Sequence, residues 1–365
     1  MKFALSSALL LLCAGSLFAQ TPSDFLTVIN RDFAAWDSDH DGVLSVKELD
    51  AVVNDLKTVN EDAAAAAALK RASFDKTPLP PLTLEAITSL TTEKKPDLAL
   101  MFAQGVKRIA KVTNRALFAD GTPAMGAIHQ GKLGNCFCLA PLGALVNRDP
   151  AQVAAMFSLE SNGNYRVQFG RKTIEVPPPT DAEIAIGASN SGQGIWVNLY
   201  EKAIGAARNE DRPQDHRVDS PLDAERGGSA GAMLAYLTGH KITRFSFAFA
   251  KSTVTTEAEF AVKLTDLRRQ LAEATQAKRL MTCGTLKTTT PGLTPNHAYA
   301  VLGYDTASDS VRLWNPHGQN FHPANTEGVE NGYATDEGIF QVPLDHFVRQ
   351  FSGMAFEVTA EKAGV

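Results

Sequence analysis

Three residue types that together perform nucleophilic acyl chemistry occur in this 365-residue chain, in settings that suit them. Cys136 follows Gln130-Gly131-Lys132-Leu133-Gly134-Asn135 and opens an apolar helical pattern over residues 137–146. A cysteine at a helix start sits where the partial positive charge of the backbone favours the thiolate, the nucleophilic form. His297 stands at the entrance of an apolar strand pattern, and Asn315 at the end of the next one, Leu313-Trp314. If those strands are neighbours, Asn315 accepts the ring N–H of His297 and fixes the tautomer that faces the sulfur. Alone, a helix-start cysteine is more often a small core residue. The distant histidine and asparagine give it chemical meaning.

A second constellation is a set of oxygens. Residues 21–36 carry Phe25, Val28, Ile29 and Phe33 at helical spacing, and a second helical pattern runs through Leu49, Val52, Val53 and Leu56. Between them, residues 37–48 have the pattern of a twelve-residue EF-hand loop. Ca²⁺ is a hard cation that takes oxygen ligands. Asp37, Asp39 and Asp41 would supply carboxylates, Val43 a backbone carbonyl, Ser45 a water-bridged contact and Glu48 two oxygens, with Gly42 at the sharp turn. Residues 75–85 are a candidate partner loop. Leu82-Thr83-Leu84 would pair with Val43-Leu44-Ser45, but Pro78, Pro80 and Pro81 replace the acidic series, so this second hand is degenerate, or else a proline-rich linker.

The remaining features set limits. Lys2, an apolar run over 4–14 and small residues up to Ala19 read as an export signal cut after Ala19, so Cys13 would leave with it. No other apolar run reaches the length of a membrane span. The formal net charge of −5, without a basic run, argues against a nucleic-acid partner. Three mature cysteines, Cys136, Cys138 and Cys283, are too few for a disulfide scaffold, although Cys138 and Cys283 could pair in an oxidising compartment. Residues 95–160 read as mostly helical, 165–169 and 173–176 as a hairpin, and 196–208 and 230–237 as helices. Strand patterns then dominate, at 242–249, 298–304, 311–314, 339–342 and 354–358. Helices first and strands later predict an α+β fold.

The segment 130–136 with Leu139-Ala140 resembles the nucleophile segment of calpains, 296–303 their histidine segment, and Asn315-Pro316-His317-Gly318 their asparagine turn. Weaker likenesses at 163–176, 196–203, 227–239 and 336–351 extend the resemblance over about residues 95–360. It implies a papain-like, two-lobed core: a helical lobe with Cys136 over about 95–235, and a sheet lobe with His297 and Asn315 over about 236–360. An all-α EF-hand lobe over 20–94 precedes it. It also implies a cysteine endopeptidase acting on proteins or peptides, with Gln130 and the Cys136 N–H stabilising the oxyanion; the export signal and the calcium loop add that it is secreted or periplasmic and calcium-associated. Other readings are an inactive calcium-binding relative and a transglutaminase-like acyl transferase. The chain departs from calpains at Asn135 and Phe137, where they have aspartate and tryptophan, and at His317, where a tryptophan shields the asparagine. Pro141 in the second turn of the cysteine helix predicts a kink.

Overall fold

The computed structural model describes residues 24–358 except Asp120, Arg171 and Asn190. The proposed export signal lies outside the described residues. Five helices come first: α1 Phe25–Trp36, α2 Val46–Asn54, α3 Asn60–Ala72, α4 Leu84–Glu93 and α5 Leu98–Lys111. Asp24 caps α1 by accepting from Thr27 N at 2.8 Å, and the helix buries Phe25, Val28, Ile29 and Phe33. Ser45 and Glu48 form a reciprocal capping box at the start of α2. The centre of this group is α3, whose alanines 63–68 are all buried. Small side chains let α5 and α8 (Asp181–Ile186) pack close against it. One antiparallel bridge joins the two loops here, with Leu44 N donating to Leu82 O at 3.0 Å. The apolar cluster runs past residue 94, taking in Leu98, Phe102, Leu133, Ala182 and Leu222.

The stretch read as mostly helical is only partly so. Beyond α5, residues 112–135 form extended loop with a single 3₁₀ turn, Met125–Ala127. Pro123 and four glycines (121, 126, 131 and 134) disfavour a helix there. Then come α6 Cys136–Arg148, α7 Pro150–Ala154 and β1 Phe157–Leu159. The expected hairpin is β2 Tyr165–Phe169 with β3 Lys172–Val176, and β1 adds a third antiparallel strand that the sequence pattern did not signal. After α8, this half closes with α9 Trp196–Glu210, α10 Pro221–Glu225 and α11 Ala230–Thr238. The cysteine helix continues through Pro141, and Tyr200 OH donates to the Cys138 carbonyl at 3.1 Å beside the hydrogen bond that the proline removes.

The second half holds β4 Lys241–Ser246, α12 Glu257–Gln276, β5 Met281–Gly284, β6 Ala298–Asp305, β7 Ser310–Trp314, β8 Ile339–Pro343, α13 Leu344–Gln350 and β9 Gly353–Val358. The strands form one antiparallel sheet in the order β4-β9-β5-β6-β7-β8, so the α+β class is as expected. No helix of the described residues is long and apolar enough to cross a membrane.

The two halves meet where α6 crosses the sheet. A Cβ at Gly143 would lie 2.2 Å from Trp314 Cζ3, so the indole occupies the space a side chain would need. In an unconstrained helix, alanine is favoured over glycine by about 1 kcal/mol. Here the clash outweighs that gain, and Gly143→Ala is expected to lower stability by about 1–3 kcal/mol in urea unfolding. Pairing it with Trp314→Phe should recover part of the loss; a Gly143→Ala protein of higher stability would contradict the contact.

Candidate active site

Asn135 is the residue before α6, yet its side chain makes no helix cap. It turns into the protein, where Nδ2 donates to Glu201 Oε1 at 2.7 Å and to Glu225 Oε1. Both carboxylates are buried, and Glu201 also accepts from Ala188 N at 2.8 Å. Burial pushes both carboxyls up, and the neighbouring Glu201 charge raises Glu225 further, so the pair favours holding a proton. The start of the cysteine helix is thereby fastened from behind.

Cys136 is half-buried, whereas Cys138 and Cys283 are buried, and all three are free thiols. Burial pushes Cys138 and Cys283 well above the ordinary thiol value, which makes them inert. Burial also raises Cys136, but the N–H groups of Ala298, Phe137 and Cys136 itself work against it. The contact with Ala298 brings the sulfur to the start of β6, beside His297.

Nε2 of His297 and Oδ1 of Asn315 are 2.8 Å apart. The same oxygen accepts from His317 N at 3.0 Å, which identifies it as the carbonyl end of the amide. Nε2 must then carry the proton, leaving Nδ1 as the basic atom. Burial, with His317 adding to it, pulls the His297 imidazole down to about 3, while Asn315 acts in the opposite sense. The Tyr299 ring meets His297 edge-on at 5.0 Å, and His317 lies parallel to it at 4.6 Å with an interplanar angle of 6°. Thus His317 stacks on the histidine ring itself rather than covering the asparagine alone.

Cys136 and His297 line one cleft of about 510 Å³ between the halves. Asn315 lies behind His297, outside the lining and 2% exposed. Gln130 also does not line the cleft. It is tied to the asparagine turn through its backbone, Gln130 N donating to Pro316 O at 2.8 Å, and its buried Oε1 has no partner. A Cβ at Gly131 would lie 2.2 Å from Gly187 O, so only glycine lets this strap pass the end of α8. Arg108 reaches the same carbonyl at 2.5 Å. Glu201, Glu225 and Arg108 are supporting residues that the sequence reading missed. Glu201 stood inside a family-like segment, but nothing in the sequence paired it with Asn135.

At the other end of the chain, one carboxylate oxygen each from Asp37, Asp39 and Glu48 lies within 4.8 Å of the others. Hydrogen bonds from Ser45, then Ser38, hold the Glu48 carboxyl down to about 2. Asp41 is outside that group: its Oδ1 accepts from Val43 N at 2.8 Å. The Ser45 hydroxyl donates to Glu48 Oε2 at 2.8 Å and caps α2. Three hard oxygen donors converging in this way fit a calcium ion better than a soft transition metal.

Among curated proteins, none matches the chain. Residues 88–327 match the family described as calpain family cysteine protease, and Gln130, Cys136, His297 and Asn315 all fall inside that stretch. The match covers more than half of the sequence, and on that ground the chain belongs to the calpain family of cysteine proteases.

Proposed function

We propose that this cysteine peptidase is an exported, calcium-associated endopeptidase that uses Cys136, His297, Asn315 and Gln130. The observation that carries the reading is the 2.8 Å His297–Asn315 bond beside the half-buried Cys136. With Nε2–H committed to Asn315, Nδ1 is left to take the thiol proton as Sγ attacks the scissile carbonyl. The carbonyl electron pair moves to oxygen, where the Cys136 N–H would meet it, joined by the Gln130 amide once that side chain turns from its buried position into the cleft. Collapse breaks the C–N bond, and the leaving amine takes the proton from Nδ1. Water, deprotonated by the same nitrogen, then hydrolyses the thioester. Burial favours the uncharged thiol and the uncharged imidazole, so proton transfer accompanies attack.

The protein expressed with its leader and treated with an epoxide cysteine-protease inhibitor should gain one adduct, on Cys136, in intact-mass analysis, and should begin at Gln20. No adduct under reducing conditions would sink the peptidase reading; a retained leader would sink export.

Asp37, Asp39 and Glu48 would hold the calcium ion, joined by Asp41, Val43 and Ser45 if the loop closes around it. A ligand at a hundredfold excess over its Kd stabilises a fold by about 2.7 kcal/mol. Thermal unfolding with calcium and with a chelator should therefore differ by several degrees, and Glu48→Gln should abolish the difference. Melting that ignores calcium would remove the ion from the reading. Labelling rates with and without chelator report whether calcium governs the thiol as well.

The His297–His317 stack gives a pH dependence. Burial, then Lys132, lowers the His317 imidazole, as burial lowers His297. Free imidazole titrates near about 6.5, so below that pH the unfolded chain binds protons that the native site refuses, and stability falls. During turnover His297 becomes a cation, and a second proton on His317 would oppose it face to face. Activity should therefore fall on the acid side as His317 titrates. His317→Trp should move the acid limb of the kcat/KM profile to lower pH; an unmoved limb would show that His317 has no part in it.

A further inference from the structure

Arg244 is the one permanently charged side chain lining the cleft. Every other lining group is apolar, a hydroxyl, an amide, a thiol, backbone or His297, and none is a carboxylate. Among the described residues nothing forms an ion pair or side-chain hydrogen bond with Arg244, whereas Arg268 and Arg269 in the same half each have carboxylate partners. On β4, Ile242 and Arg244 face α11: a Cβ at Gly231 would meet Ile242 Cδ1 at 3.2 Å and Arg244 Nε at 3.6 Å. The guanidinium thus reaches across the cleft from the sheet towards the helical half.

From this arrangement we infer that the cleft selects substrates with an acidic side chain, read by Arg244; the inference rests on the peptidase reading for what occupies the cleft. An unpaired guanidinium presents a planar set of donors that matches a carboxylate. In a cleft without competing carboxylates it attracts anionic and repels cationic side chains. Strand register gives the position. Ala298, Gly284, Gly353 and Ser246 are aligned across β6, β5, β9 and β4, and Arg244 is two residues further along β4. Three inter-strand steps of about 4.8 Å put β4 about 14 Å from the strand that follows His297. Even turned fully along that line, the arginine side chain would leave its head at least about two extended residues from the bond to be cut. Selection therefore falls on a neighbouring subsite and not on the residue at the scissile bond itself.

The test uses the full chain in two forms. A fluorogenic peptide library varied over three positions on each side of the scissile bond measures turnover by the wild type. A Cys136→Ala protein measures binding of the same peptides by fluorescence polarisation, with no chemistry required. Glutamate at one position, two or three residues from the bond, should bind about fivefold tighter than glutamine and more so than lysine, with the gap narrowing as salt rises. Adding Arg244→Gln should erase the gap, and Arg244→Glu should turn it towards lysine. Equal binding of glutamate and glutamine peptides, or a preference that survives Arg244→Gln, would overturn the assignment. Arg244-dependent binding without wild-type turnover would instead leave an acidic-ligand cleft and remove the peptidase reading.

Discussion

Trp314 resting against α6 at Gly143 is the contact on which the site depends. Asn315 follows the tryptophan directly, and Cys136 lies seven residues up the same helix, about 10 Å at 1.5 Å per residue. One close approach therefore sets how far the sulfur stands from the asparagine and from the histidine that it holds. The indole is fully buried, so the spacing is maintained by the packed interior between the halves and not by a loop. Placing such geometry on regular elements gives the site a precision that mobile segments lack.

Around that contact the protein spends polar groups on holding the thiol in place. The strap at Gln130–Gly131 is pinned to the asparagine turn on one side and to the end of α8 on the other. Behind Cys136, Asn135 joins two buried carboxylates. Had both been charged, they would have opposed formation of a thiolate nearby. Burial moves them towards the protonated state, which limits that opposition while keeping the amide anchored. An asparagine suits this place because its Nδ2 serves both acceptors, as an aspartate could not.

What could be read in the sequence followed from periodicity and residue type. The α6 start, the strands around His297 and Asn315, and the β2–β3 hairpin all have patterns whose burial matches their spacing. The long loop over 112–135 did not announce itself, because apolar residues in a loop that packs against the core resemble helix residues. The three residues of β1 are too short to show alternation. In α12 only Leu264, Leu267, Leu271 and Ala274 are buried, and that stripe is outweighed by the strand patterns around it. Glu201 and Glu225 were hidden for a different reason. Their role lies in convergence on Asn135 from 66 and 90 residues away, and no local pattern encodes such a meeting.

Lys70 offers a last consequence. It is 2% exposed, it contacts Asp50 of α2, and it lies 2.7 Å from Asp223 of α10, two residues before Glu225. With Lys70 and Asp50 buried and Asp223 half-buried, loss of the lysine would leave the buried Asp50 charge unpaired. The N-terminal helices are consequently keyed into the protease half through this lysine. Pulling them away would uncover α10, which braces Asn135, the residue before Cys136. The first lobe is a wall of the catalytic core, not a pendant beside it.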